Sequence, residues 1–334
     1  MIFTKYSASL SALALIFTAL SAQTETILAK ANPAESNQYA QKTTRKQKVV
    51  VVSGARFSYK LVQKFIDDYN AANPEVQIII EARGSSDPAN VDILAEVFPQ
   101  DEAIRKEREY VNVGRYAILP VAASISSFAK IYSETGLTRE LINQLYFHDL
   151  FADSEKEQKI KASYTIYTRL QRAGVPIVFT KYFGYEQKDI KGKAIAGSDE
   201  HLLKALLRDS TAVSYLPLPL IYDQANGDPI AGLTVLPVDL NGNRRVNDDE
   251  KFYSKLSEVI QHLESKGPKE IKNIPIEYLH LSIDKKNAST EAIEFLKWVS
   301  ENAERYLHDF GYFKSEENHV EKNKFNEFAS KRGK

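Results

Sequence analysis

The sequence predicts an α/β fold, and three observations carry that prediction. The run KVVVVSGARFSYKLVQKFIDDYNAANPEVQIII, ending at Ile80, reads as strand, short glycine loop, helix and strand. Further on, β-branched runs and helical patterns keep alternating. Near the end, Ser289–Phe310 puts Ala292, Phe295, Leu296, Val299, Ala303, Tyr306 and Leu307 on one helical stripe. The Ser53-Gly54-Ala55 turn in the first unit is a candidate ligand-binding turn. Because it follows an export signal, the unit suits an exported small-molecule binder better than a cytosolic nucleotide enzyme.

The elements follow in order. Lys60–Tyr69 spaces Leu61, Val62, Phe65, Ile66 and Tyr69 as a helix packed on a sheet, and Val76–Glu81 is a strand. A Gly-Ser-Asp loop spans Gly84–Pro88, and Asp101–Glu109 is charged and exposed. Arg115–Ala123 reads as a buried strand and Thr138–Leu145 as a helix capped by Thr138. Tyr164–Arg169 alternates like a strand, and Pro176–Phe183 is a helix with proline at its first position. Asp199–Leu207 is a helix, Ala212–Leu216 a strand, Leu233–Val238 a strand, Lys251–Leu263 a helix and Tyr278–Ile283 a strand. The charged tail beyond Phe313 is expected to fray.

Lys5 precedes an apolar stretch from Leu10 to Leu20, with small residues at Ala19 and Ser21. That stretch is shorter than the roughly 20 residues of a membrane span, so residues 1–21 read as a cleaved signal peptide. Residues 22–47 are polar and lack periodicity, the composition of a flexible lead. The chain has no cysteine, which excludes disulfides, thiol catalysis and a lipid-anchored cysteine. Lys plus Arg (44) equal Asp plus Glu (44), and losing Lys5 leaves about −1. That balance gives no reason to expect nucleic acid or an anionic membrane as a partner.

Residues Asp239 to Glu250 fit a twelve-position calcium loop of EF-hand type. Asp239, Asn241, Asn243, Arg245 (through its carbonyl), Asn247 and Glu250 fall at the ligand positions, and Val246 at the apolar one. Arg244 stands where glycine normally makes the sharp turn, which costs roughly 1 kcal/mol or more. The alternative is a polar turn with a helix cap. Calcium here would be a weak structural clamp; no cofactor is otherwise required.

Four segments resemble one family. They are Gly54-Ala55-Arg56-Phe57 with the helix and Asn73-Pro74-Glu75-Val76 after it, Val113–Val121, Tyr167-Thr168-Arg169, and Glu294–Val299 through Gly311-Tyr312-Phe313. Together they are similar to the phosphate-binding components of bacterial phosphate uptake transporters, within the periplasmic solute-binding superfamily. The resemblance implies a class II two-lobed fold with a ligand cleft between lobes joined by crossing strands. Lobe one would take residues 48–120 and 231–313, lobe two residues 121–230, with a tail from 314 to 334. It implies a periplasmic monomer that takes phosphate or another small oxyanion by hinge closure and hands it to a membrane-embedded ABC permease.

The ligand set so implied is Ala55, Arg56, Phe57, Ser85, Ser86, Asp92, Arg169, Ala173 and Gly174. Several positions depart from the family pattern. Arg56 replaces a small hydroxyl residue, and Ala173-Gly174-Val175 replaces Ser-Gly-Thr. Ala95-Glu96 stands near the end of the third strand in place of a Ser-Asp or Ser-Arg pair. Arg56 and Arg169 can supply two guanidinium forks for an oxyanion. Each also reads as an ordinary arginine, exposed or paired with a carboxylate. Ser85 and Ser86 read equally as turn residues, and Asp92 as a cap or ion-pair partner. His148 and the other histidines lack metal spacing. There is no Gly-x-Ser-x-Gly, His-Glu-x-x-His or complete phosphate loop, so a binder is preferred to an enzyme. The rival reading is an interaction protein of the same fold whose anion site has degenerated.

Overall fold

The computed structural model describes residues 48–81, 91–97, 102–147, 160–267, 270–314 and 318–332. The signal peptide and lead expected at 1–47, the loop serines Ser85 and Ser86, and His148 lie outside the described residues.

Strand β1 (Lys48–Gly54) leads through a 3-10 turn, Arg56–Ser58, into α1 (Tyr59–Ala72) and β2 (Val76–Ile80). The predicted βαβ unit is therefore present, with β1 and β2 parallel. β3 (Ile93–Glu96) pairs parallel with β1 on its other side. The short helix α2 (Glu102–Glu107) covers the segment expected to be charged and exposed. β4 (Arg108–Ala123) is longer than its predicted core, because the polar residues before Arg115 still pair along a neighbouring strand.

After β4 come α3 (Ser127–Thr135) and α4 (Arg139–Tyr146). Thr138 caps α4 as expected, its hydroxyl accepting from the Leu141 amide. β5 (Thr165–Arg169) precedes α5 (Gly174–Phe183). The helix starts two residues before Pro176, which puts the proline at its third position rather than its first. Proline is tolerated there because a first-turn amide has no helical acceptor. β6 (Lys193–Ile195), α6 (Asp199–Leu206), β7 (Ala212–Pro217) and β8 (Leu233–Val235) follow.

The helix predicted from Lys251 begins only at Leu256, as α7 (Leu256–Glu264). β9 (Ile276–Asp284) precedes α8 (Thr290–Asn302), capped by Ser289. The stripe predicted to run to Phe310 breaks after Asn302 into 3-10 turns at Ala303–Arg305 and His308–Phe310. The tail expected to fray instead forms α9 (Asn318–Arg332), with Phe325 fully buried against the core. Phe325, with Phe328 and Ala329 beside it on the core, outweighs the charged composition around it.

The strands run in the order β2-β1-β3-β9-β4-β7-β5-β6, with β8 pairing the end of β4. β4 is the element common to both halves. Its first part, Arg108–Ala117, pairs with β9, and its second, Ile118–Ala123, with β7 and β8. This is the two-lobed architecture expected from the sequence, with β4 crossing between lobes. β8 and the Leu137–Val238 bridge tie the chain after residue 231 to second-lobe segments.

Each lobe has its own aromatic seam. In the first, Tyr69 of α1 meets Phe295 (5.1 Å) and Trp298 (5.9 Å) of α8. In the second, Phe179 stacks on Tyr215 at 4.1 Å and meets Tyr146 at 5.1 Å. Such pairs add about 0.5–1.5 kcal/mol each beyond the area they bury. They hold the helices rigidly on the strand ends that build the site.

Candidate functional site

A cavity of about 490 Å³ lies where the carboxyl ends of β1, β3 and β5 converge. Both lobes line it: Gly54–Phe57 and Leu94–Val97 from the first, Arg169, Gln171, Ala173–Val175 and Gly197–Asp199 from the second. Ligands of open α/β sheets sit outside such strand ends.

The first wall depends on a close backbone approach. Gly54 has φ 131°, and a Cβ there would fall 2.2 Å from the Ala95 carbonyl oxygen. Only glycine lets β1 come this near to β3, and the Ala55 amide then donates to Ala95 O at 2.9 Å. Phe57 is buried and packs on Tyr116 at 5.0 Å, whose hydroxyl donates to Val97 O at 2.6 Å. Arg56 is exposed at the rim, with no ion-pair partner among the described residues.

The second wall is built on Arg169 at the end of β5. Its Nη1 donates to Asp199 Oδ2 at 3.2 Å, with side-chain exposures of 14% and 6%. Arg169 Nε and Asp199 Oδ1 are both buried and have no hydrogen-bond partner. Burial holds the Asp199 carboxyl above the usual carboxylate range, against the pull of the Arg169 charge. Gln187 Nε2 donates to the carbonyls of Arg169 (3.2 Å) and Gln171 (3.0 Å), and Gln171 Oε1 accepts from Gly197 N at 2.9 Å. The loop carrying the arginine is thus pinned to the one that leads to α6.

α5 opens into the same cavity. Ala173 has no side-chain acceptor to cap it, so the first amides of the helix are free for a ligand. Beneath the first wall lies a buried polar network. Ser282 donates to Glu96 Oε2, and Arg108 reaches Ser282 Oγ at 2.8 Å and Ser282 O at 2.9 Å. His280 stands opposite both Glu96 and Asn112 in register. Burial, with Arg105 nearby, pushes its pKa down to about 4.

The structure therefore brings together Ala55, Arg56, Phe57, Arg169, Ala173 and Gly174 of the predicted set. Asp92 lies elsewhere: its Oδ2 accepts from Val51 N at 2.8 Å, clamping β3 to β1. Sequence reasoning missed Asp199, Gln171 and Ser198. Ser198-Asp199 signals a helix start, but nothing in the sequence shows that it meets a strand end 30 residues earlier.

Loop 239–250 does not line the cleft. Asp239 and Glu250 are almost fully buried, and their oxygens are taken by the loop's own groups. Asp239 accepts from the amides of Gly242, Asn243 and Arg244 at 2.7–3.0 Å. Glu250 accepts from the amides of Leu240, Asn241 and Asn247 at 2.8–3.0 Å. Asn241 and Asn243 turn onto the amides two residues on, and Asn247 Nδ2 also reaches Glu250 at 3.4 Å. Arg244 adopts the left-handed φ of 70° that the motif normally gives to glycine, and Arg245 follows it. Among the described residues, no three His, Asp or Glu side chains are grouped to hold a metal ion. No described helix is long and apolar enough to cross a membrane.

No protein-family model matches the chain, and no curated protein matches it. Solved structures do. One is a protein from Clostridium perfringens, provisionally described as a phosphate ABC transporter substrate-binding protein, with phosphate bound. It is 13% identical, with a TM-score of 0.58 over 80% of this chain and 100% of its own. Another is an ABC-type phosphate transport receptor from Vibrio cholerae, 14% identical, with a TM-score of 0.53 over the same shares. At such identity the likeness shows the fold: this chain has the two-lobed architecture of periplasmic binding proteins.

Proposed function

We propose that this chain is an exported solute-binding protein. In this reading it captures a small oxyanion, phosphate first, between its lobes and delivers it to a membrane-embedded ABC permease. The observation that carries the reading is Arg169, whose buried Nε lacks an acceptor where the uncapped start of α5 faces the same cavity. A guanidinium and helix amides converging on one cavity form an oxyanion site without hydroxyls at Ala173, Gly174 and Val175. Arg56 closes it from the other lobe, so ligand bridging both arginines favours the closed form. The reading is consistent with the phosphate bound to the Clostridium protein of the same fold.

Phosphate at roughly 100 times its Kd is expected to stabilise the protein by about 2.7 kcal/mol in urea unfolding. Arg56→Ala leaves the unliganded fold intact, because the side chain is exposed, and weakens phosphate about tenfold or more. An unchanged phosphate affinity in this variant would remove Arg56 from the site.

The second reading is an interaction protein with a degenerated site. Asp199 favours it, since it already engages Arg169, as does the lack of hydroxyls at Ala173, Gly174 and Val175. That reading predicts no stabilisation by phosphate at any concentration. For loop 239–250 we propose a self-capped turn in place of the calcium clamp, because amides already serve both buried carboxylates. Millimolar calcium is then expected to leave the melting temperature unchanged after chelator treatment. A rise of several degrees would restore the ion.

A further inference from the structure

The charges facing the cleft are balanced. Arg56 and Glu96 line it from the first lobe, Arg169 and Asp199 from the second. A cavity made only for a bare anion gains from excess positive charge, and two carboxylates work against it. Asp199 is 4% exposed. One of its oxygens meets Arg169, and the other meets no donor. A buried carboxylate oxygen without a donor is costly, and the residue that carries it lines the cavity. In the same ion pair, Arg169 Nε lacks an acceptor. A ligand that satisfies the pair must therefore present an acceptor to Arg169 and a donor to Asp199.

We propose that the cleft takes a zwitterion: a small oxyanion carrying a primary ammonium a few bonds away. Arg56, Arg169 and the first amides of α5 hold the oxyanion, and Asp199 receives the ammonium, with Glu96 supplying a second negative charge. The inference rests on the oxyanion reading above and narrows its substrate class. An ammonium fits better than a neutral hydroxyl because it matches the two carboxylates in charge as well as in hydrogen bonding. Asp199 then serves specificity, and an ammonium beside it counters the burial that raises its carboxyl.

The test is a calorimetric titration of the full chain, stripped of bound anion, with inorganic phosphate, ethyl phosphate and phosphoethanolamine. The last two share a skeleton and differ by the ammonium. Phosphoethanolamine is expected to bind about tenfold or more tightly than ethyl phosphate, and Asp199→Asn to bring the ratio close to one. If that variant fails to fold, the ranking on the unaltered protein still decides. Ethyl phosphate binding as tightly as phosphoethanolamine overturns the inference and leaves the oxyanion reading standing. Binding of none of the three overturns that reading, and the inference with it.

Discussion

Replacing Arg169 by alanine lowers the stability of the fold by about 3–5 kcal/mol, the usual result of removing one partner of a buried ion pair. The effect comes from what is left behind. Asp199 is buried, and without Nη1 at 3.2 Å its carboxylate faces no cation in the second lobe's wall. The double variant Arg169→Met with Asp199→Leu is expected to recover most of the loss, since apolar replacement of a buried pair is often neutral. The penalty also depends on pH. Asp199 has a carboxyl raised in the folded state, so its contribution is fully present below the unfolded carboxylate pKa and is lost as pH rises through the folded one. Arg169→Ala should therefore cost less in acid than at neutrality. Urea unfolding of the wild type and the two variants at both pH values measures this. A cost below about 1 kcal/mol at neutral pH would mean that the pair behaves as a surface one.

The second large effect is acid destabilisation through His280. Its folded pKa of about 4 lies below the ordinary 6.5, because burial, and then Arg105, disfavours the imidazolium. Between those values the unfolded chain binds the extra proton, so stability falls as pH drops from 6.5 towards 4. The gap corresponds to about 3 kcal/mol. Carboxylates held low in the folded state, such as Asp209 and Glu264, act in the same direction. The quantity to measure is thus the difference between the wild type and His280→Gln. The variant is expected to lose about 3 kcal/mol less than the wild type between neutral pH and pH 4. Parallel pH profiles would show that His280 titrates normally.

What was legible in the sequence follows from length and periodicity. The first βαβ unit was readable because α1 repeats its apolar positions over several turns and its strands are β-branched. β3 was placed only through the family resemblance, at Ala95-Glu96, because four residues give too few alternations for periodicity to separate a strand from a loop. α9 was hidden because its apolar anchors, Phe325, Phe328 and Ala329, are few and set in a charged segment, too few to register as a periodic stripe. The helix after loop 239–250 was placed five residues early, since the acidic run there satisfies the loop before it can cap a helix.

The site divides along the same line. Arg56, Phe57 and Arg169 sit at strand ends, and strand ends are local features. Asp199 belongs to another element, and its meeting with Arg169 is set by the order β7-β5-β6, which no spacing along the chain encodes. Asp92, whose cap or ligand role the sequence leaves open, shows the converse. A carboxylate near a strand end looks the same in sequence whether it faces a ligand or bonds the next strand's amide, as it does with Val51.

The central claim is that the cavity between the lobes holds an oxyanion. Its most direct test is a calorimetric titration of inorganic phosphate into the chain after partial unfolding and dialysis. The account predicts saturable one-to-one binding, weakened in Arg56→Ala. No heat at millimolar phosphate, from protein shown to be folded and free of anion, would contradict it.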